Sequence, residues 1–131
     1  MSKLVTIDSK IRPYNKKIQV GGDKSISIRW VLLSSLANGT SSAKNLLMSE
    51  DVMASIKAIK KLGIKAVYTK NLCKIYGKGI EGYQYKKNLT LNSENSGTLG
   101  RLIMGLLIDA PNKIKIIGDK SLSKRDFNRI A

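Results

Sequence analysis

Apolar and polar residues follow one another along this chain with two periods, one typical of helices and the other typical of strands. Helical spacing predicts a helix over residues 24–38 and a second helix over residues 50–62, with Ser49 as its N-cap and Gly63 beyond its end. The first helix is expected to bury Ile26, Trp30, Leu33 and Leu36. The second is expected to bury Val52, Ile56, Ile59 and Leu62. Two acidic residues in the first turn of the second helix and two lysines in its last suit the helix dipole.

Shorter β-type runs lie between and after these helices. Residues 64–69 and 71–77 are two such runs that meet at Lys70-Asn71, and they predict a hairpin. Further strands are predicted at residues 17–20, 42–47 (a strand or an extended turn), 88–92 and 113–117. Two further helices are predicted over residues 98–109 and from residue 124 onward. This alternation predicts an α/β (α+β) fold.

Length and composition indicate a single soluble domain. The 131 residues are 42% hydrophobic and 25% charged, as in ordinary globular proteins. No apolar run reaches the roughly 18–20 residues of a membrane span, and the N-terminus lacks the apolar segment of a secretory signal. Cys73 is the only cysteine and there is no histidine, which excludes a Cys/His zinc site and a Ser–His or Cys–His catalytic couple. We therefore expect a cytoplasmic protein with neither a metal nor a cofactor.

The chain is strongly basic, with 24 Lys and Arg against 9 Asp and Glu and a formal net charge of +15. One interpretation is a polyanionic or phosphate-bearing partner. The other is a composition bias, because lysines far outnumber arginines and Asn and Ile are also abundant. Aromatic residues are only 5% and do not alternate with basic ones, as they do on surfaces that stack nucleic-acid bases. A nucleic-acid partner is therefore not the leading expectation.

One octapeptide occurs twice, as GDKSISIR at residues 22–29 and as GDKSLSKR at residues 118–125, with six of eight positions identical. Each copy follows a predicted strand, turns on a glycine and leads toward a predicted helix. A helix N-terminus with Lys and Arg beside it suits a phosphate or a carboxylate. Arg29 follows Ser25 by one helical turn, so both can face one ligand. The alternative is that the motif serves only the turn and the N-cap.

A third junction of this kind, ENSGTLGR, occupies residues 94–101. Strand ends in α/β folds tend to line one crevice, so we expect the three junctions to meet there. Two established glycine patterns do not fit. Glycine does not directly precede Lys24 or Lys120 as a P-loop requires, and GGDKSI lacks the third glycine of a dinucleotide fingerprint. The junctions therefore predict an anion site of neither kind.

Together, GDKSISIR, NSGTLGRL and GDKSLSKRDFNRI resemble the three signatures of the 5-enolpyruvylshikimate-3-phosphate synthase family, in family order over residues 22–129. The related UDP-N-acetylglucosamine enolpyruvyl transferases carry Ala-Lys-Asn where this chain has Asp23-Lys24-Ser25. The resemblance implies βαβαββ units of the inverse α/β barrel of enolpyruvyl transferases, present in part. It also implies transfer of the enolpyruvyl group of phosphoenolpyruvate to the 5-hydroxyl of shikimate-3-phosphate, with release of phosphate.

The same resemblance implies roles for particular residues. Lys24, Ser25 and Arg29 are expected to contact shikimate-3-phosphate. Lys24, Asn95, Gly97 and Arg125 are expected to contact phosphoenolpyruvate, and Lys24 is the one catalytic residue implied here, since the main acid and base lie later in family chains. A side chain at Gly97 would crowd the ligand, at the place where the family inhibitor glyphosate binds. Arg101 is expected to be structural, and Thr98 is expected to cap a helix.

Two departures from the family bear on these expectations. The Pro-Met of the third signature is Asp126-Phe127 here, and Asp126 is expected to compete for the charge of Arg125. Family chains are several times longer and have two domains. Residues 21–131 would supply one to two of the three units of one domain, and residues 1–20 a strand segment of the other. Because the last predicted helix runs to the final residue, we expect part of a longer or split synthase that is inactive by itself. A stand-alone basic module that binds phosphate or nucleic acid is the alternative.

Overall fold

The computed structural model of the protein describes residues 4–6, 8–10, 12–128 and 130. The helices are α1 (Lys24–Leu36), α2 (Glu50–Lys61) and α3 (Gly97–Leu106). The strands are β1 (Asn38–Lys44), β2 (Lys65–Tyr68), β3 (Leu72–Lys78), β4 (Leu89–Asn92) and β5 (Ile114–Ile117), and a 3-10 turn, Leu122–Lys124, follows β5. The described strands form an antiparallel sheet in the order β1-β3-β2 and a parallel pair, β4-β5, whose strands are connected through α3.

The hairpin and helix α2 form where the sequence predicts them. Strands β2 and β3 pair antiparallel, with Ala66 opposite Ile75 and both side chains buried. Helix α2 begins after Ser49 and ends before Gly63, whose φ of +84° favours glycine. Its predicted stripe is buried and consists of Val52, Ile56, Ile59 and Leu62. The Ser49 hydroxyl, however, makes no capping hydrogen bond.

Helix α1 buries a different face from the predicted one. Ile26 and Leu33 are 68% and 63% exposed, and the core instead receives Ile28, Val31 and Leu32. The prediction was wrong because apolar residues occur on all sides of this helix, so their spacing does not select a face. Packing against α2 and β3 selects it.

Close packing of α1 on β3 depends on one glycine. A Cβ atom at Gly77 of β3 would lie 2.2 Å from the carbonyl oxygen of Ala37 and 2.4 Å from that of Ser34. These are backbone atoms at the end of α1, which cannot move aside as a side chain can. Glycine at this position therefore lets the helix approach the sheet.

The first half of the chain differs from prediction at two strand boundaries. Residues 17–20 form no strand, and Ile18 is 82% exposed, because no described strand lies beside them to supply the ladder that a strand needs. The first octapeptide therefore does not follow a strand. Strand β1 begins at Asn38, where the first helix was predicted to continue, and it ends before Asn45, whose φ of +57° turns the chain.

The second half differs at two helices. Helix α3 ends at Leu106, shortly after Gly105, a weak helix former, and does not reach residue 109. No α-helix begins at Lys124, because the 3-10 turn ends there and the backbone becomes extended at Arg125 (φ −81°, ψ 142°). Arg129 and Ala131 of that predicted helix lie outside the described residues.

The core extends from the antiparallel sheet to the β4-α3-β5 segment. Leu91, Leu99 and Ile103 are buried in the same cluster as the residues of α1 and α2. Beyond β4 the chain stays next to the chain that follows β5. The Ser93 N–H donates to the Ile117 carbonyl, and the Asp119 N–H donates to the Glu94 carbonyl, both at 2.8 Å. The N-terminus of α3 is thereby placed beside the second octapeptide.

Candidate anion-binding site

The two octapeptides share one local structure at their aspartates. Oδ1 of Asp23 accepts a hydrogen bond from the Ile26 N–H at 2.7 Å, and Oδ1 of Asp119 accepts one from the Leu122 N–H at 2.7 Å. Each carboxylate caps a helical turn, α1 in the first copy and the 3-10 turn in the second. The capping role considered for the motif is therefore present in both copies. The prediction that both copies connect a strand to a helix is wrong, since the first follows no strand and the second opens only a 3-10 turn.

The basic residues of the first octapeptide gather at the N-terminus of α1. The Lys24 Nζ lies 2.9 Å from Oδ2 of Asp51 in α2, and the lysine side chain is 53% exposed. Nη1 of Arg29 donates a hydrogen bond to the Ser25 carbonyl at 3.1 Å. An ammonium has three donors and a guanidinium five, so donors remain on both side chains for an anion near the exposed N–H groups of the helix.

The segment after β1 packs directly against the first octapeptide. A Cβ atom at Gly22 would lie 2.2 Å from the Asn45 carbonyl oxygen and 2.8 Å from the Leu47 nitrogen. The Leu47 N–H in turn donates to Oγ of Ser27 at 3.1 Å. Trp30 lines a cavity of about 200 Å³ between this segment and α1. The indole therefore lies beside Gly22 and Asp23 at the start of the first octapeptide, and its fluorescence can report on changes there.

The second octapeptide is connected to the residues after β4 by side-chain hydrogen bonds. Nδ2 of Asn95 donates to Oδ2 of Asp119 at 2.5 Å, and Nη2 of Arg125 donates to Oδ1 of Asn95 at 2.9 Å. The backbone hydrogen bond from Leu122, followed by the side-chain hydrogen bond from Asn95, holds the pKa of the Asp119 carboxyl below its ordinary value. Asp119 and Asn95 thus fix the orientation of the Arg125 guanidinium.

Two guanidinium groups converge on Gly97, the first residue of α3. A Cβ atom there would lie 2.9 Å from Nη1 of Arg101 and 3.1 Å from Nη1 of Arg125. The two Nη1 atoms are therefore at most about 6 Å apart. Side-chain atoms at Gly97 would occupy the space that both guanidinium groups face. Two like charges at such a distance favour an anion between them.

Arg101 also holds the chain that follows the second octapeptide. Its Nη2 donates to the Asp126 carbonyl at 2.9 Å, and its guanidinium lies over the Phe127 ring, 5.0 Å from the ring centre. Oδ1 of Asp126 accepts the Asn128 N–H at 2.7 Å. No ion pair joins Asp126 to Arg125 in the described part of the chain, so the expected competition for that charge is not seen.

Ser96, rather than Thr98, caps helix α3. Oγ of Ser96 accepts the Leu99 N–H at 3.2 Å, so the prediction of Thr98 as the cap is wrong. Thr98 lies one residue inside the helix, where its backbone N–H belongs to the first turn. The helix begins one residue earlier than predicted, which makes Gly97 part of that turn.

The structure brings the predicted site residues together in two groups. Asn95, Gly97, Arg101 and Arg125 form one group, and Lys24, Ser25 and Arg29 form the other. No hydrogen bond or ion pair between described residues joins the two. Sequence reasoning missed Asp51 as the partner of Lys24, for which no sequence signal existed. It also missed Asp119 as the partner of Asn95, although repetition of the octapeptide marked that aspartate.

The described residues contain neither a membrane-spanning helix nor a metal-binding cluster. None of their helices combines the length and the apolar character that crossing a membrane requires. Within the same residues, no group of three or more His, Cys, Asp and Glu side chains is arranged to hold a metal ion. The described site offers an anion hydrogen bonds and positive charge, supplied by arginine, lysine, asparagine and backbone N–H groups.

Comparisons with known proteins point to one family. Residues 9–131 match the family model described as EPSP synthase (3-phosphoshikimate 1-carboxyvinyltransferase). A 3-phosphoshikimate 1-carboxyvinyltransferase of Streptococcus pyogenes serotype M2 (strain MGAS10270) is 43% identical over 128 residues, which are 98% of this chain and 30% of the relative. The corresponding protein of serotype M49 (strain NZ131) is 46% identical over 118 residues, 90% of this chain and 27% of the relative.

Solved structures agree with the sequence comparisons. EPSP synthase from Acinetobacter baumannii superimposes with a TM-score of 0.76 at 33% identity, covering 87% of this chain and 26% of that chain. The mixed α/β architecture is therefore that of part of an EPSP synthase domain, as the sequence predicted. This chain spans about 30% of the length of the relatives that it matches.

Proposed function

We propose that this chain, which belongs to the EPSP synthase (3-phosphoshikimate 1-carboxyvinyltransferase) family, forms part of an enzyme that transfers the enolpyruvyl group from phosphoenolpyruvate to shikimate-3-phosphate. The observation that carries the proposal is the convergence of Arg101 and Arg125 on Gly97 at the N-terminus of α3. Two cations and a helix N-terminus directed at one small space suit a carboxylate or a phosphate. Both substrates carry several such groups.

In this reaction the 5-hydroxyl group of shikimate-3-phosphate gives up its proton and its oxygen bonds to C2 of phosphoenolpyruvate. The C2–C3 double bond opens in the same step and C3 gains a proton. Loss of phosphate from C2 and of a proton from C3 then restores the double bond. Asn95, Gly97 and Arg125 would bind phosphoenolpyruvate, with Asn95 holding the Arg125 guanidinium in place before the substrate arrives. Lys24, Ser25 and Arg29 would bind shikimate-3-phosphate, and Lys24 would also reach phosphoenolpyruvate.

Catalysis in this proposal requires the remainder of the synthase chain. The family's main acid and base residues lie beyond the part that this chain matches, and an open site cannot exclude water around the reacting groups. We also propose that residues 1–20 belong to the other domain and residues 21–131 to one to two units of the first. The apolar side chains of the early segment are exposed, which supports this assignment for Leu4, Val5, Ile18 and Val20.

The first test follows the fluorescence of Trp30, the only tryptophan, while shikimate-3-phosphate is added to the purified chain. We expect a saturable change that inorganic phosphate does not reproduce. Lys24→Ala should weaken binding about tenfold or more, since hydrogen bonds to charged groups contribute about 1.5–3 kcal/mol. Lys120→Ala is the matched control, because it removes the same charge from the second octapeptide and should leave this binding unchanged.

Other outcomes of this titration would contradict the proposal. Equal weakening by Lys24→Ala and Lys120→Ala would indicate attraction by net charge alone. Binding of DNA or RNA with a steep dependence on salt would favour the basic module instead. A second assay measures phosphate release from both substrates, with the chain alone and with the chain co-expressed with the rest of a relative's sequence. We expect turnover only in the second case, and turnover by the chain alone would contradict the need for the remainder.

A further inference from the structure

The two terminal nitrogen atoms of the Arg101 guanidinium contact different parts of the chain. Nη2 donates to the Asp126 carbonyl at 2.9 Å, while Nη1 faces Gly97 beside Nη1 of Arg125. A single hydrogen bond leaves a guanidinium able to rotate about that bond. A second contact, with the face of the group, is therefore needed to keep Nη1 directed at the anion site.

The Phe127 ring supplies that second contact. The ring centre lies 5.0 Å from the Arg101 guanidinium carbon, within the range of a cation–π interaction. The ring itself rests against α3 at Gly100, where a Cβ atom would lie 3.4 Å from ring carbon Cε1 and 3.5 Å from Cζ. Gly100 is buried, so the absence of a side chain there leaves the surface on which the ring sits.

We propose that Phe127 is a positioning residue for the anion site, and that Gly100 provides the place for its ring. Phe127 touches neither Gly97 nor Arg125 in the contacts described above, so it acts through Arg101. This inference rests on the proposed function, in which the space over Gly97 receives phosphoenolpyruvate. It extends that function by assigning Arg101, through its Nη1, as a second guanidinium donor to the anion beside Arg125.

The test combines a spectroscopic readout with a binding measurement on the full chain. The Nε–Hε resonance of Arg101 in a ¹⁵N spectrum should be shifted upfield by the aromatic ring. Phe127→Leu keeps the apolar bulk and should abolish that shift, whereas Phe127→Tyr keeps the ring and should retain it. Binding of phosphoenolpyruvate should weaken about two- to fivefold in Phe127→Leu and be retained in Phe127→Tyr.

Two substitutions at Gly100 test the place of the ring independently. Gly100→Ala adds a Cβ atom at ordinary contact distance and should preserve both the shift and the binding. Gly100→Leu should displace the ring and reproduce both losses. Thermal unfolding of each variant shows whether it is folded at the temperature of the measurements. If Phe127→Leu is not folded, Phe127→Met takes its place.

The outcomes separate this inference from the proposed function. Loss of the resonance shift in Phe127→Leu with unchanged phosphoenolpyruvate binding would overturn the positioning role and leave the proposed function standing. Absence of any shift in the unsubstituted chain would overturn it directly. If the unsubstituted chain does not bind phosphoenolpyruvate at all, the proposed function fails for the isolated chain, and the resonance shift alone decides whether Phe127 positions Arg101.

Discussion

The two octapeptides have nearly the same sequence and the same aspartate cap, yet they participate in different structures. In the first copy the cap opens a helix of 13 residues, and the lysine pairs with Asp51 of α2. In the second copy the cap opens a 3-10 turn, and the arginine, not the lysine, makes the contact, with Asn95. Four consecutive residues, from the aspartate to the N–H that it accepts, are enough to form the cap. Whether the lysine or the arginine of the octapeptide then contacts another part of the chain depends on which element packs beside that copy.

The largest expected difference between the copies concerns their glycines. In Gly22→Ala the new Cβ meets backbone atoms of residues 45–47, whereas in Gly118→Ala it meets the Leu122 side chain, which can partly move. We expect Gly22→Ala to lower the free energy of unfolding by about 3 kcal/mol and Gly118→Ala by about 1–2 kcal/mol. Urea denaturation followed by circular dichroism measures both. Equal losses would show that the chain after β1 does not hold the first octapeptide as described.

Substitution of one arginine at a time should show whether the group with Lys24, Ser25 and Arg29 and the group with Asn95, Gly97 and Arg125 bind different ligands. Arg125→Lys keeps the charge but loses the planar set of donors, so phosphoenolpyruvate binding should weaken about tenfold while shikimate-3-phosphate binding is unchanged. Arg29→Lys should show the reverse. Calorimetric titration of each variant with each ligand makes the comparison. If either variant weakened both ligands equally, the two groups would act as one site.

The aspartate caps should contribute less than the glycines. Asp23→Ala removes the acceptor for the Ile26 N–H and should lower the free energy of unfolding by about 1 kcal/mol. Asp23→Asn retains a capping oxygen and serves as the matched control, with most of the stability kept. Thermal unfolding monitors both variants. A loss in Asp23→Asn as large as in Asp23→Ala would assign the effect to the charge of Asp23 and not to the cap.

The smallest expected effect is the pH dependence that Asp119 introduces. Because hydrogen bonds from Leu122 and Asn95 lower the pKa of Asp119 in the folded chain, its stabilising contribution is present above the ordinary carboxyl pKa. It is lost as the pH falls through the lowered folded pKa. The stability difference between the unsubstituted chain and Asp119→Asn should therefore be largest near neutral pH and shrink below about pH 4. A difference that does not change with pH would show that the carboxylate charge does not contribute.

Much of the local structure could be predicted, and the failures at α1 and at residues 17–20 share one cause, which is that neighbouring elements decide the outcome. Helix α2 was predicted closely because its apolar residues occupy one stripe, its charges suit the dipole and Gly63 ends it. Helix α1 was predicted as an element but with the wrong face, since a helix that is apolar on all sides has no preferred face before it meets its neighbours. Residues 17–20 have a strand-like sequence but no described partner strand, and a strand exists only through pairing.

The sequence by itself determined the aspartate caps of the two octapeptides, the hairpin and the types of residue that are available to an anion, because these depend on residues close together in the chain. It also carried the three family signatures. Only the tertiary structure decided that Asn95 joins Arg125 to Asp119, that Lys24 faces Asp51, and that two guanidinium groups converge on Gly97. Each of these contacts joins residues at least 24 positions apart, except for that between Gly97 and Arg101. Such contacts follow from how helices and sheets pack, which no local pattern records.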